Sequence, residues 1–213
     1  MNLFLYSCVG VPLWCAIFAL YFILRREKLM KESLIAKCAG SFIAVGSGGL
    51  GLTLSGKNPF LEPVFWFFVL CTLADALLEI NFIPGMLVFG AGHVCLVIWL
   101  WTVVSPTWWS LILWILAYAL TALMFRKELP TLGKQTVPFL LYPALLGASL
   151  ALALPLPFLM GVRFLPAAVG ALSFFISDMM VAKGQLSHLD KKYHKWVMVL
   201  YWLALYLIAA SLW

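Results

Sequence analysis

Apolar residues arrive along this chain in long unbroken runs, not in the period-two alternation of half-buried strands. Cutting the runs at charges, prolines and glycine clusters leaves eight segments, at about 4–24, 34–54, 62–80, 83–104, 107–125, 136–154, 158–181 and 196–213. Each approaches the roughly 20 apolar residues that a helix needs to cross a bilayer. The pattern predicts an all-α polytopic membrane protein, with one domain of eight transmembrane helices over residues 1–213. Only Asn81 and Phe82 precede Ile83-Pro84 between the third and fourth segments, which predicts a tight hairpin, and Ser105-Pro106 joins the fourth to the fifth. The longest polar connection runs from Lys183 to Lys195. No basic stretch precedes the first run and no small-residue cleavage site follows it, so it is read as a retained helix rather than a signal peptide.

Composition narrows the class. Of the 213 residues 65% are hydrophobic and 10% are charged, and the mean hydropathy is +1.05. A soluble domain carries about 25% charged residues. These charges are too few to cover a water-facing surface, which excludes a soluble globular domain, a disordered chain, a coiled coil and a disulfide scaffold. The net charge of +6 has no soluble face on which to gather, so no nucleic-acid partner is expected. It reads instead as topology. With both termini outside, the cytoplasmic side holds Arg25, Arg26, Lys28, Lys31, Lys37, Arg126, Lys127, Lys134, Lys183, Lys191, Lys192 and Lys195. That is twelve of the 14 basic residues, leaving Lys57 and Arg163 outside. The positive-inside rule therefore predicts an N-out/C-out chain. Trp99, Trp101, Trp108 and Trp109 flank an outer turn, where an interfacial aromatic belt belongs. Cys8, Cys15, Cys38, Cys71 and Cys95 lie in apolar stretches without C-x-x-C spacing and are read as small buried hydrophobes. The run Gly46-Ser47-Gly48-Gly49-Leu50-Gly51 would suggest a phosphate loop in a soluble protein. Inside an apolar span it is read as a place of close helix approach, with Ser47 and Gly51 in small-xxx-small spacing.

The informative residues are the ionisable ones within the spans. Each costs about 2.5–3.5 kcal/mol on insertion scales and faces the bundle interior as a rule. Glu27, Glu32, Glu128 and Asp190 fall in inner loops and Glu62 lies near an outer boundary. Asp75, Glu79 and Asp178 remain at or near membrane depth, and His93 is the one histidine within a span. At 1.5 Å per residue, Asp75 and Asp178 lie roughly 4–8 Å from the cytoplasmic boundary and His93 about 15 Å from it. Glu79 is one turn from Asp75 on the same helix face. The expectation is a polar layer capped from deeper in the membrane by His93, in a cavity open to the cytoplasmic leaflet. The competing readings are a structural hydrogen-bond acceptor for Asp75, solvated carboxylates for Asp178 and Glu79, and an interhelical hydrogen bond for His93. His188 and His194 sit in a lysine-rich loop. With one histidine at depth and no H-x-x-x-H or H-x-x-E-H spacing, no metal is expected.

The carboxylate-bearing segments also carry a resemblance. They read Leu73-Ala74-Asp75-Ala76-Leu77-Leu78, then Phe82-Ile83-Pro84-Gly85-Met86-Leu87-Val88-Phe89-Gly90-Ala91-Gly92-His93. Later come Gly170-Ala171-Leu172-Ser173-Phe174-Phe175-Ile176-Ser177-Asp178 and Tyr201-Trp202-Leu203-Ala204. In order and spacing this resembles the YhhN family of membrane proteins, which includes the lysoplasmalogenases. Ala74 stands where the family pattern has Gly, and Leu205 where it has a polar residue, often Gln. The resemblance implies an ether-bond hydrolase that cleaves the vinyl ether of lysoplasmalogens, releasing a fatty aldehyde and glycerophospho-ethanolamine or -choline, without a cofactor. It implies Asp75 and Asp178 as the catalytic carboxylates, with Glu79, Asn81, His93, Ser177 and Tyr201 as substrate-binding candidates.

The chemistry is consistent with that assignment. Protonating the β-carbon of a vinyl ether gives an oxocarbenium ion, and glycosidases divide acid and base roles between two carboxylates around such a species. The division here is open, with greater depth favouring Asp75 as the acid. The partners expected are a lysophospholipid and the bilayer, with oligomeric state open. Lys134, Lys183, Lys191 and Lys192 are candidates to attract the lipid phosphate, beside a purely topological reading. The location expected is a bacterial inner membrane, with the site toward the cytoplasmic leaflet. Two other classes use the same residues. A proton-coupled transporter or lipid flippase would carry protons on them, with a faint parallel repeat between Ala74-Asp75-Ala76-Leu77-Leu78 and Ser177-Asp178-Met179-Met180-Val181. A non-catalytic membrane partner would not need them.

Overall fold

Backbone polar groups inside a bilayer must be satisfied within the chain, and uninterrupted helices do this. The computed structural model describes residues 3–133, 136–187 and 191–213, and among these all regular structure is helical. The helices are α1 (Leu3–Arg26), α2 (Met30–Leu54), α3 (Pro63–Ile80), α4 (Phe82–Val103), α5 (Trp108–Met124), α6 (Thr136–Ala153), the one-turn α7 (Leu156–Leu159), α8 (Leu165–Ser187) and α9 (Lys191–Ala210). The eight long helices answer the eight apolar segments. Seven are long and apolar enough to cross a membrane, while α5, with 17 residues, is shorter. Length and composition mark an integral membrane protein.

Helix ends depart from the apolar boundaries. α2 opens at Met30 rather than 34, α8 runs to Ser187 rather than 181, and α9 opens at Lys191 rather than 196. Backbone hydrogen bonding does not stop where side chains become charged, so these helices carry Lys and Glu in their terminal turns. The segment expected over 158–181 begins late. α7 and a turn through Gly161, at φ +98°, precede α8, a backbone conformation that favours glycine. The hairpin between α3 and α4 is one residue long. Asn81 Oδ1 accepts from Ile83 N–H at 3.2 Å, capping α4. Thr107 and Ser110 form a reciprocal capping box at the start of α5.

The chain divides into two compact units, residues 1–96 with 212–213, and residues 97–211. In the first, α2 packs against α1 and α3. One face of α3 is buried at Val64, Phe67, Phe68, Cys71, Ala74 and Asp75, the i, i+3, i+4 spacing of a core stripe. Trp66, Leu73 and Ile80 lie exposed on the other side. The glycine-rich run of α2 is a packing surface, as expected. A Cβ on Gly48 would lie 2.6 Å from the Phe68 ring and one on Gly51 3.0 Å from Trp213 Nε1. Trp213 Nε1 donates to Ser47 O at 3.2 Å.

In the second unit α8 packs along α9 and α6, and α5 packs on α6. The buried stripe of α8 runs through Ala167, Ala168, Ala171, Phe174 and Phe175, and Asp178 continues that spacing. Close approach of α9 is set at Gly170, where a Cβ would lie 2.9 Å from Ile208 and 3.0 Å from Ala204 O. Trp101, Trp108 and Trp109 are exposed as a belt requires, and the last two stack. Trp99 is buried instead. The cysteines also depart from expectation: all are free, but only Cys71 is buried, and Cys8 and Cys15 are exposed on α1. Exposed Leu, Ile and Val side chains are abundant, the surface a lipid solvent permits.

Candidate active site

Asp75 occupies the core register of α3, so its carboxylate enters the first unit where an apolar side chain would otherwise sit. α2 brings two groups to meet it. Lys37 Nζ lies 3.2 Å from Oδ1, with the two side chains 9% and 1% exposed. Ser41, one turn further along α2 and fully buried, donates its hydroxyl to Oδ2. An aspartate alone at this depth would be an uncompensated charge; an ammonium and a hydroxyl make it a satisfied ion pair. Removing one partner of a buried pair costs about 3–5 kcal/mol.

One turn outward on α3, Glu79 accepts from Arg25 of α1 at 3.5 Å, with both side chains 27% exposed. These two ion pairs of the first unit thus stand one turn apart near the C-terminal end of α3. The inner pair joins α2 to α3 and is shut in; the outer pair joins α1 to α3 and is open. An open pair contributes about 0–1 kcal/mol, so its groups change partners at little cost. Fully buried Tyr21 lies one turn before Arg25 on α1. His93 of α4 is buried and packs edge-on against Phe67, ring centroids 5.8 Å apart. Eight residues of α3 separate Phe67 from Asp75, about 12 Å along the axis, so the ring that His93 packs against lies more than two turns along α3 from Asp75. Asn81 is exposed and acts as the α4 cap.

The other candidates belong to the second unit. Asp178 is half-buried on α8, and Tyr142 of α6 donates its phenol to Oδ2. Ser177 Oγ donates to Val197 O at 3.0 Å, tying α8 to α9. Tyr201 is buried with its ring edge-on to Phe174, 5.5 Å between centroids. Lys183 is part of α8 rather than a loop. It bridges to Glu128 and lies 5.8 Å from the Phe125 ring centre, so it has a structural partner beside any lipid. Lys191 and Lys192 open α9. Lys134, His188 and Asp190 lie outside the described residues.

Four residues escaped the sequence reading of the site: Lys37, Ser41, Arg25 and Tyr142. Lys37 and Arg25 served only as topology markers. Yet Lys37 falls inside an apolar segment, and its i, i+4 spacing to Ser41 was a readable signal of one polar stripe on α2. Tyr142, before Pro143 in an apolar run, gave no such signal.

A family model described as YhhN family matches residues 50–212, most of the chain. No curated protein and no solved structure matches it. The match includes both aspartates and Tyr142. Arg25, Lys37 and Ser41 precede it, so these partners of Asp75 and Glu79 come from outside the matched stretch.

Proposed function

The chain belongs to the YhhN family, and on that premise we propose that it is a lysoplasmalogenase-like hydrolase. It would sit in a bacterial inner membrane as eight N-out/C-out spans, with its site toward the cytoplasmic leaflet. The observation that carries this reading is a carboxylate on the core stripe of α3 with a cation and a hydroxyl built around it. Intramembrane ionisable residues are costly, and function is the default account of them.

In the proposed reaction a carboxylic acid gives its proton to the β-carbon of the vinyl ether, leaving an oxocarbenium ion. Water adds to the α-carbon and passes a proton to the second carboxylate. The hemiacetal then collapses to a fatty aldehyde and the glycerol hydroxyl, so that one water is consumed and no redox step occurs. Lys37 supports the charge-bearing role for Asp75, as the carboxylate that receives the proton from water. Asp178, which accepts a hydrogen bond from the Tyr142 phenol, then takes the proton-donor role. This reverses the assignment that depth alone favours.

The test gives purified protein a lysoplasmalogen beside the matching lyso-ester and lyso-alkyl lipids and measures aldehyde. Aldehyde from the vinyl ether alone is expected, and Asp75→Asn and Asp178→Asn should each abolish it in folded protein. No aldehyde, or equal turnover of all three lipids, overturns the reading. Uptake that tracks a pH gradient without product would favour the transporter.

A further inference from the structure

We propose that the Arg25–Glu79 pair is a receptor for a zwitterionic lipid headgroup, Arg25 taking the phosphate and Glu79 the ammonium. The inference rests on the hydrolase reading, in which Asp75 works at the vinyl ether, and it adds the part of the site that selects the headgroup.

Three observations carry it. The first is register. Glu79 follows Asp75 by four residues, so the outer pair stands about 6 Å further along α3 than the inner one. In a lysoplasmalogen, five single bonds of about 1.5 Å link the ether oxygen to phosphorus, an extended reach of about 6 Å. A lipid with its vinyl ether at Asp75 and its headgroup toward the open end would therefore bring its phosphate to the outer pair. The second is accessibility. The outer pair is partly exposed and held by one 3.5 Å contact, whereas the inner pair is buried and is supplemented by Ser41. Only the outer pair is placed to exchange partners with an arriving ligand. The third is charge pattern. A guanidinium matches a phosphate, often with two parallel hydrogen bonds, and the carboxylate it releases matches an ammonium. A zwitterion thus replaces both halves of the pair and leaves neither charge alone.

Three 1-alkenyl substrates separate the contributions: one with a phosphoethanolamine headgroup, one with bare phosphate, and the 1-alkenylglycerol with no headgroup. Arg25→Gln is expected to raise KM about tenfold for both phosphate lipids, with a far smaller effect on the alkenylglycerol. Arg25→Lys should retain part of that discrimination. Glu79→Gln should raise KM for the ethanolamine lipid and lower it for the bare phosphate, from which it removes a repelling carboxylate. The opposite signs for Glu79→Gln are the signature, since a merely structural pair would move all three substrates together in both variants. That common shift overturns the proposal.

Equilibrium binding of the non-cleavable 1-alkyl analogues with the same three headgroups, to protein in nanodiscs, separates this proposal from the hydrolase reading. The same pattern without any turnover leaves the receptor standing and removes the hydrolase. Turnover with no headgroup-dependent change in either variant removes the receptor alone.

Discussion

Lys37 Nζ stands 3.2 Å from Asp75 Oδ1, pairing two nearly solvent-free charges across α2 and α3. Such a pair is an obligation as much as a stabiliser. Lys37→Met should lower stability by about 3–5 kcal/mol, because it leaves a buried carboxylate uncompensated. Asp75→Asn should do the same to the ammonium. The double variant Lys37→Met/Asp75→Asn should recover much of the loss, since no buried charge remains, yet stay without aldehyde-forming activity. Thermal unfolding of the purified protein in detergent reads the first effect, and the lysoplasmalogen assay reads the second. Additive losses in the double variant would show that the two residues act separately.

Tyr142 offers the parallel test in the other unit, where its phenol donates to Asp178. A hydrogen bond to a charged group contributes about 1.5–3 kcal/mol, and Asp178 becomes charged as it gives up its proton. Tyr142→Phe should therefore cost roughly ten- to a hundredfold in kcat/KM while the ring keeps its packing. Loss in kcat at steady KM is expected if Tyr142 orients Asp178 for proton transfer. A rise in KM alone would assign the phenol to substrate binding instead.

The difference between what the sequence announced and what it concealed is physical. The bilayer imposes long apolar runs, so the long helices were legible as segments. The ends were not, because Lys183, Lys191 and Glu32 sit in helical turns that the hydrophobicity rule assigns to loops. Depth made Asp75 and Asp178 stand out as charges in apolar runs. Their partners were hidden, since a charge within a span also serves topology, and nothing local tells Lys37 that it will face Asp75 across two helices. The register was visible afterward: 64, 67, 68, 71, 74 and 75 form one stripe, with the carboxylate at its end.

The glycine run of α2 gives a stability prediction with opposite signs at two nearby positions. At Gly48 a Cβ would lie 2.6 Å and 2.9 Å from atoms of the Phe68 ring, and Phe68 is fully buried and cannot swing aside. Gly48→Ala should destabilise by about 1–3 kcal/mol, the usual cost of overpacking. At Gly46 nothing lies within 4 Å of the added carbon. There Gly46→Ala should be neutral or stabilising by up to about 1 kcal/mol, from helix propensity. Melting midpoints of the two variants, measured side by side, decide it. Equal losses would mean that the run does more than pack.

Lys183 distinguishes two destinations for the lipid phosphate. The sequence made it one of four loop lysines able to attract an anion, but it is ion-paired with Glu128, with side-chain exposures of 28% and 17%. It also lies 5.8 Å from the Phe125 ring centre. A partly open pair of this kind contributes about 0–1 kcal/mol, so Lys183→Gln should lower the melting midpoint slightly. If the headgroup is held by Arg25, the same variant should change KM for the phosphoethanolamine lipid by no more than about twofold, against about tenfold for Arg25→Gln. Measuring both variants on that lipid compares the two cations directly. A tenfold rise with Lys183→Gln and none with Arg25→Gln would send the phosphate to α8 and leave the outer pair of α3 as a helix clasp.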